Sequence, residues 1–229
     1  GEIPTKSVTA TYMLDDKTGY IRIKNFGENT YPELLIALAK LSQQNFQNLT
    51  IDLRGNTGGY LQSAVQIANE FLQEDDLIVY TKGRSTNSVE YRARGGGLFT
   101  EGKVIILVDS YTASAAEIVS GAVQDHDRGI IVGRRTFGKG LVQRPLDLPD
   151  GSMIRLTVSH YYTPSGRCIQ KPYEKGKKEE YRDDLDQRFK HGELTSLDSI
   201  RLDSTKVYKT LVKGRTVYGG GGVMPDVFV

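Results

Sequence analysis

The sequence predicts an α/β core, on three observations. Apolar residues at three- and four-residue spacing alternate with short runs of strand character, one of those runs is continuously apolar, and glycine-rich turns close several of them. "GYIRIKNF" (19–26) alternates as a strand, and "YPELLIALAKLSQQ" (31–44) repeats as an amphipathic helix. "NLTIDLRGNTGG" (48–59) is a strand running into a glycine turn, "LQSAVQIANEFLQ" (61–73) a helix, and "LIVYTKGR" (77–84) a strand. "KVIILVD" (103–109) predicts a strand buried on both faces. "SAAEIVSGAVQD" (114–125) is a helix and "GIIVG" (129–133) a strand. "LVQRPLDLPDGSMIRLTVSHYYT" (141–163) is a hairpin turning at "PDG". From 171 to about 202 the composition becomes a dense mixture of charges, which predicts a solvated excursion with one or two short helices. "VYGGGGVMPDVFV" (217–229) returns the chain to a strand through a glycine tract.

At 229 residues the chain is long enough to bury a substantial core. A formal net charge of +2, with basic and acidic residues interspersed, argues against nucleic acid as a partner. No apolar run approaches the ~18 residues of a membrane span. The single cysteine, Cys168, excludes an intrachain disulfide and a cysteine-rich metal site. Three scattered histidines make no convincing metal triad, so no metal or cofactor is expected.

Chemistry concentrates in "DLRGNTGG", "YTASAAEI" and "TFGKGLVQ", each at the end of a core strand, where α/β folds build their sites. Ser114 lies between alanines after an apolar strand and at a helix start, where free backbone N–H groups favour negative charge. The plainer reading is that Ser114 or Thr112 caps the helix, with Glu117 completing a capping box. Lys139 is framed by Gly138 and Gly140, which allow close approach of another backbone. The stretch "GRRTFGKG" lacks the glycine spacing and the following Ser/Thr of a phosphate loop. His126, in the polar "QDHDRG", reads as solvated rather than catalytic.

In this order, "DLRGNTGG", "TASAAEIVSGAVQD", "GRRTFGKGLVQ" and "YYTPSG…GGGGVMPD" closely resemble the C-terminal processing (tail-specific) serine peptidases, over nearly the whole of 19–229. The resemblance implies a mixed-sheet ClpP/crotonase-like peptidase core with helices packed on the sheet. It implies Ser114 as nucleophile, Lys139 as base and Gln143 as the group that orients the lysine. A serine hydroxyl needs a neighbouring base, and a lysine serves as one only where desolvation disfavours its ammonium form. A glutamine carbonyl can orient that amine without adding a negative charge that would favour protonation. The oxyanion requires two donors. Ala115 N–H is one candidate, and Gly58 or Gly59 the other, with both glycines left open.

The same resemblance implies protein or peptide substrates with accessible C-terminal tails and an exported enzyme of the bacterial periplasm or cell envelope. A PDZ domain is expected upstream, outside residues 1–229, which are read as the catalytic core including the 171–202 excursion. Without it the core is expected to fold but act poorly, with the Ser114 and Lys139 side chains adjacent yet beyond hydrogen-bond reach and one oxyanion donor turned away. The competing class is a noncatalytic ligand- or peptide-binding module on the same fold, against which the joint presence of Ser114, Lys139 and Gln143 argues. Oligomeric state is not legible in the sequence.

Overall fold

The computed structural model describes residues 6–173 and 176–229. A six-stranded sheet runs in the order β1 (Val8–Met13), β2 (Thr18–Ile23), β3 (Asn48–Asp52), β6 (Lys103–Val108), β7 (Gly129–Gly133) and β12 (Val227–Phe228). β1 pairs antiparallel with β2, and every other neighbour is parallel, so the sheet is mixed. The register aligns Ile21, Ile51, Ile106 and Ile131 across four strands, and all four are fully buried beneath the helices.

Those helices are α1 (Thr30–Ser42), α2 (Leu61–Asn69) and α3 (Ala115–Asp125). α1 buries Leu34, Ala37, Leu38 and Leu41, the stripe its three- and four-residue spacing predicts. α3 is buried on every side and packs against α2, β4 (Leu77–Lys82) and β7. Its alanines and glycine suit a helix enclosed all round.

A second, antiparallel sheet has the order β5 (Val89–Arg92), β4, β9 (Met153–Tyr162), β8 (Leu141–Asp147). The β8–β9 hairpin turns through Gly151 at φ +81°, and Leu146, Met153, Ile154 and Leu156 near its tip are exposed. Beyond it lie the short helices α4 (Lys178–Arg182) and α5 (Asp184–Lys190), then β10 (Val207–Lys209) paired antiparallel with β11 (Thr216–Tyr218).

Two expectations are corrected. β6 is not enclosed on both faces: its burial alternates, and Ile105 is 36% exposed beside Ile130 at 47%, because the helices cover only one side of this part of the sheet. The charged excursion is not simply solvated either. Lys171, Arg188 and Glu193 are buried, since opposite charges and backbone carbonyls supply partners that make burial tolerable. Composition reports the number of charges, not whom they meet.

Candidate active site

β3, β6 and β7 are adjacent and parallel, so their carboxyl ends bring three loops to one edge of the sheet. After β3 comes "LRGNTGG", after β6 the turn into α3, and after β7 the loop that carries Lys139. Thr112 fastens the first two, its hydroxyl donating to Leu53 O at 2.9 Å. The third is joined to them by Phe137 N–H, which donates to Thr112 O at 2.9 Å.

Ser114 occupies the N-cap of α3 with φ +56° and ψ −117°, a backbone conformation that non-glycine residues rarely adopt. Such strain persists only where surroundings enforce it. Here the enforcing group is Glu117, fully buried one turn into α3. Its Oε2 accepts the N–H groups of Ser114 and Lys139, each at 2.8 Å. Its Oε1 accepts Gly138 N–H at 2.8 Å and the Thr136 hydroxyl. Burial pushes the Glu117 carboxyl above its ordinary range, against the lowering effect of these four donors. The capping and catalytic readings of this turn are therefore compatible: Glu117 caps the backbone of Ser114 while holding the lysine loop.

The Ser114 hydroxyl is only slightly exposed and faces the Tyr161 phenol. Burial raises that phenol above the usual tyrosine range, and the neighbouring Ser114 side chain partly offsets it. Tyr161 N–H donates to Gly140 O at 2.8 Å, so one residue of β9 faces the serine and is bonded to the backbone immediately after Lys139. Lys139 itself is half-buried, and among the described residues its side chain has no hydrogen-bond partner. The Gln143 side chain is exposed, just past the irregularity in β8 opposite Thr157, and it does not hydrogen-bond to Lys139. Backbone contacts thus bring Ser114 and Lys139 together, and Gln143 is not drawn in with them.

The "TGG" turn lies against the serine. A β-carbon added at Gly58 would fall 2.6 Å from Ser114 Cβ and 2.9 Å from Ala115 N. Yet Gly58 N–H is already donated to Asn56 Oδ1 at 2.8 Å. Gly59 N–H and Ala115 N–H are left without an acceptor among the described residues. Of the two glycines left open by the sequence, Gly59 is therefore the one with a free donor. Asn56, buried, also donates to Ile23 O at 2.9 Å and so ties this turn to β2.

His126 is the C-cap of α3, its Nε2 2.7 Å from Leu77 O, a structural tie to β4 far along the helix from Ser114. His160 is exposed on β9 and His191 caps α5. Sequence reasoning missed Tyr161 and Asn56 and gave Glu117 only a capping role. Asn56 stood inside a quoted motif, whereas nothing in "RLTVSHYYT" singles out Tyr161.

The family model described as peptidase family S41 matches residues 17–178. The carboxyl-terminal-processing protease of Picosynechococcus sp. strain PCC 7002 is 42% identical over 156 residues, covering 68% of this chain and 37% of the relative. The carboxy-terminal-processing protease of Bartonella bacilliformis is 40% identical over 164 residues, covering 69% and 38%. Among solved structures, a photosystem II D1 C-terminal processing protease superposes with a TM-score of 0.66 at 32% identity, over 74% of this chain and 47% of that one. The chain spans less than half the length of these relatives.

Proposed function

Because the chain belongs to peptidase family S41, we propose that it is the catalytic core of a serine endopeptidase that cleaves protein substrates near their C-termini through an acyl-enzyme. Ser114 Oγ attacks the scissile carbonyl carbon while its proton passes to the neutral Lys139 amine. The carbonyl oxygen becomes an oxyanion held by Ala115 N–H and Gly59 N–H. Collapse of that intermediate breaks the C–N bond, and the leaving amine takes the proton from Lys139. Water then attacks the ester, with Lys139 again accepting a proton, and Ser114 is released. Gln143 orients the amine in the peptide complex, since catalytic hydrogen bonds are often long in an unliganded enzyme and tighten when substrate binds.

The observation that carries this reading is the shared Glu117 carboxylate, which holds the backbones of the proposed nucleophile and base. A binding module would have no use for an unpaired lysine held beside a strained serine and two free N–H groups. Recognition of the substrate tail belongs in this reading to the longer protein, exported to the bacterial cell envelope.

The test is covalent labelling with a fluorophosphonate, which needs an activated serine but no tail recognition. The expected result is one adduct, on Ser114, abolished by Ser114→Ala and Lys139→Ala and retained by His126→Ala. Labelling of Lys139→Ala at the wild-type rate, or an adduct elsewhere, would overturn the assignment.

A further inference from the structure

We propose that the α5 segment, which lies beyond the family match ending at residue 178, clamps the loop that carries Lys139, with Arg188 as its positioning residue. The inference rests on the assignment of Lys139 as base. Arg188 sits in one of the most highly charged stretches of the chain yet is 3% exposed. Its guanidinium donates from Nη1 to Thr136 O at 2.8 Å and from Nη2 to Phe137 O at 3.3 Å. These are the two carbonyls immediately before Gly138 and Lys139. Arg188 is itself held by Asp184, whose Oδ2 is 3.0 Å from Nε, with Glu193 3.9 Å away.

The neighbouring residues of the loop are gripped by the chain on either side of α5. Arg134 Nε donates to Leu194 O at 2.6 Å, and Arg135 makes a two-point pair with Glu193 at 2.5 and 2.6 Å. The Phe137 ring lies 4.0 Å from the ammonium of Lys171, which pairs with Asp184 at 3.1 Å and donates to Tyr181 O at 3.0 Å. Lys171 N–H donates to Gly138 O at 2.9 Å.

The loop is therefore gripped from two directions with complementary chemistry. Glu117 accepts its N–H groups from the helix side, and Arg188 donates to its carbonyls from the excursion side. A fixed guanidinium fork suits this task because two donors in one plane meet successive carbonyls. Among the described residues Lys139 makes no side-chain hydrogen bond of its own, so the position of its amine depends on the backbone that Glu117 and Arg188 hold. Displacement of a reacting group by about 1 Å can cost on the order of a hundredfold in rate.

The experiment measures saturation kinetics of Ser114 phosphonylation by a fluorophosphonate in the full chain, so that the maximal rate and the half-saturation concentration are read separately. Amide hydrogen exchange of Gly138 and Lys139 is followed in parallel. Arg188→Gln is expected to lower the maximal rate roughly 10- to 100-fold, to leave half-saturation within about twofold, and to speed exchange at Gly138 and Lys139 but not in the middle of α3. Arg188→Lys, keeping one donor, is expected to recover part of the rate. If Arg188→Gln does not fold, Lys171→Met carries the test, with a smaller loss of maximal rate and faster exchange at the same two amides. A wild-type maximal rate in folded Arg188→Gln, or in Lys171→Met where that variant carries the test, while Lys139→Ala is dead, overturns the clamp and leaves the serine–lysine assignment standing. Wild-type labelling of Lys139→Ala overturns both.

Discussion

Ser114 and Lys139, far apart in sequence, donate their backbone N–H groups to one oxygen, Oε2 of Glu117, each at 2.8 Å. The carboxylate works as a joint between the α3 turn and the lysine loop, and only an acceptor with two oxygens can serve all four of its donors. Glu117→Gln replaces one oxygen with an amide nitrogen that faces donors. Each buried donor left without a partner costs about 1–3 kcal/mol. The variant is expected to unfold at lower urea concentration and to lose Ser114 phosphonylation by about a hundredfold. Wild-type labelling in this variant would remove Glu117 from the machinery.

Gly58 offers a steric test of the same turn. At φ +94° and with a β-carbon 2.6 Å from Ser114 Cβ, Gly58→Ala must displace the serine turn or the "TGG" backbone, and labelling should fall by two orders of magnitude or more. Gly55, at φ +73°, has open space around a β-carbon. Gly55→Ala is expected to cost about 1–2 kcal/mol of stability and to keep its labelling rate. Equal labelling of the two variants would show that the Gly58 contact does not matter.

Lys171 sets a pH dependence of stability. Burial lowers its ammonium below the ordinary lysine range, opposed by Asp184 and Glu117 and reinforced by Arg188. The folded chain therefore releases this proton at lower pH than the unfolded chain. Between the lowered value and about 10.4 the unfolded state binds more protons, so unfolding free energy rises with pH in that window. Urea unfolding of wild type and Lys171→Met from pH 7.5 to 10 should show wild type gaining on the variant. A constant difference would contradict the burial argument.

Arg167 and Asp125 form an ion pair buried completely on both sides, with Nη2 2.8 Å from Oδ1, and Arg167 also donates to Gln124 Oε1 at 2.7 Å. Arg167→Met leaves the Asp125 carboxylate buried without its counter-charge and is expected to cost about 3–5 kcal/mol. Adding Asp125→Asn should recover part of that loss. A single variant as stable as wild type by urea midpoint would mean that the pair contributes little.

Gln143 separates orientation from structure. Its side chain is exposed, so Gln143→Ala should leave the unfolding free energy from urea titration within about 0.5 kcal/mol of wild type, as for most surface changes. Peptide turnover should nevertheless fall at least tenfold if the carbonyl orients the amine in the complex. Unchanged turnover would end that role.

The sequence by itself determined most of the strands and helices, though not β1, β5 or β10, and the placing of three loops at strand ends, while the pairing of Ser114 with Lys139 came from the family resemblance. Periodicity and turn residues are local signals, and the elements and loops are written locally. Tertiary structure decided what depends on pairing across the chain. Tyr161 faces Ser114 only because β9 joins β4 in a second sheet. Gly59 rather than Gly58 keeps a free N–H only because Asn56 turns its amide oxygen inward. The open face beside Ile105 and Ile130 depends on which side the helices cover, which an unbroken apolar run cannot encode. The burial of Arg188 is the sharpest case. A charge in a charged stretch reads as solvated until the fold supplies Asp184 and two loop carbonyls, and the free energy of burying it is set by those partners rather than by the residue itself.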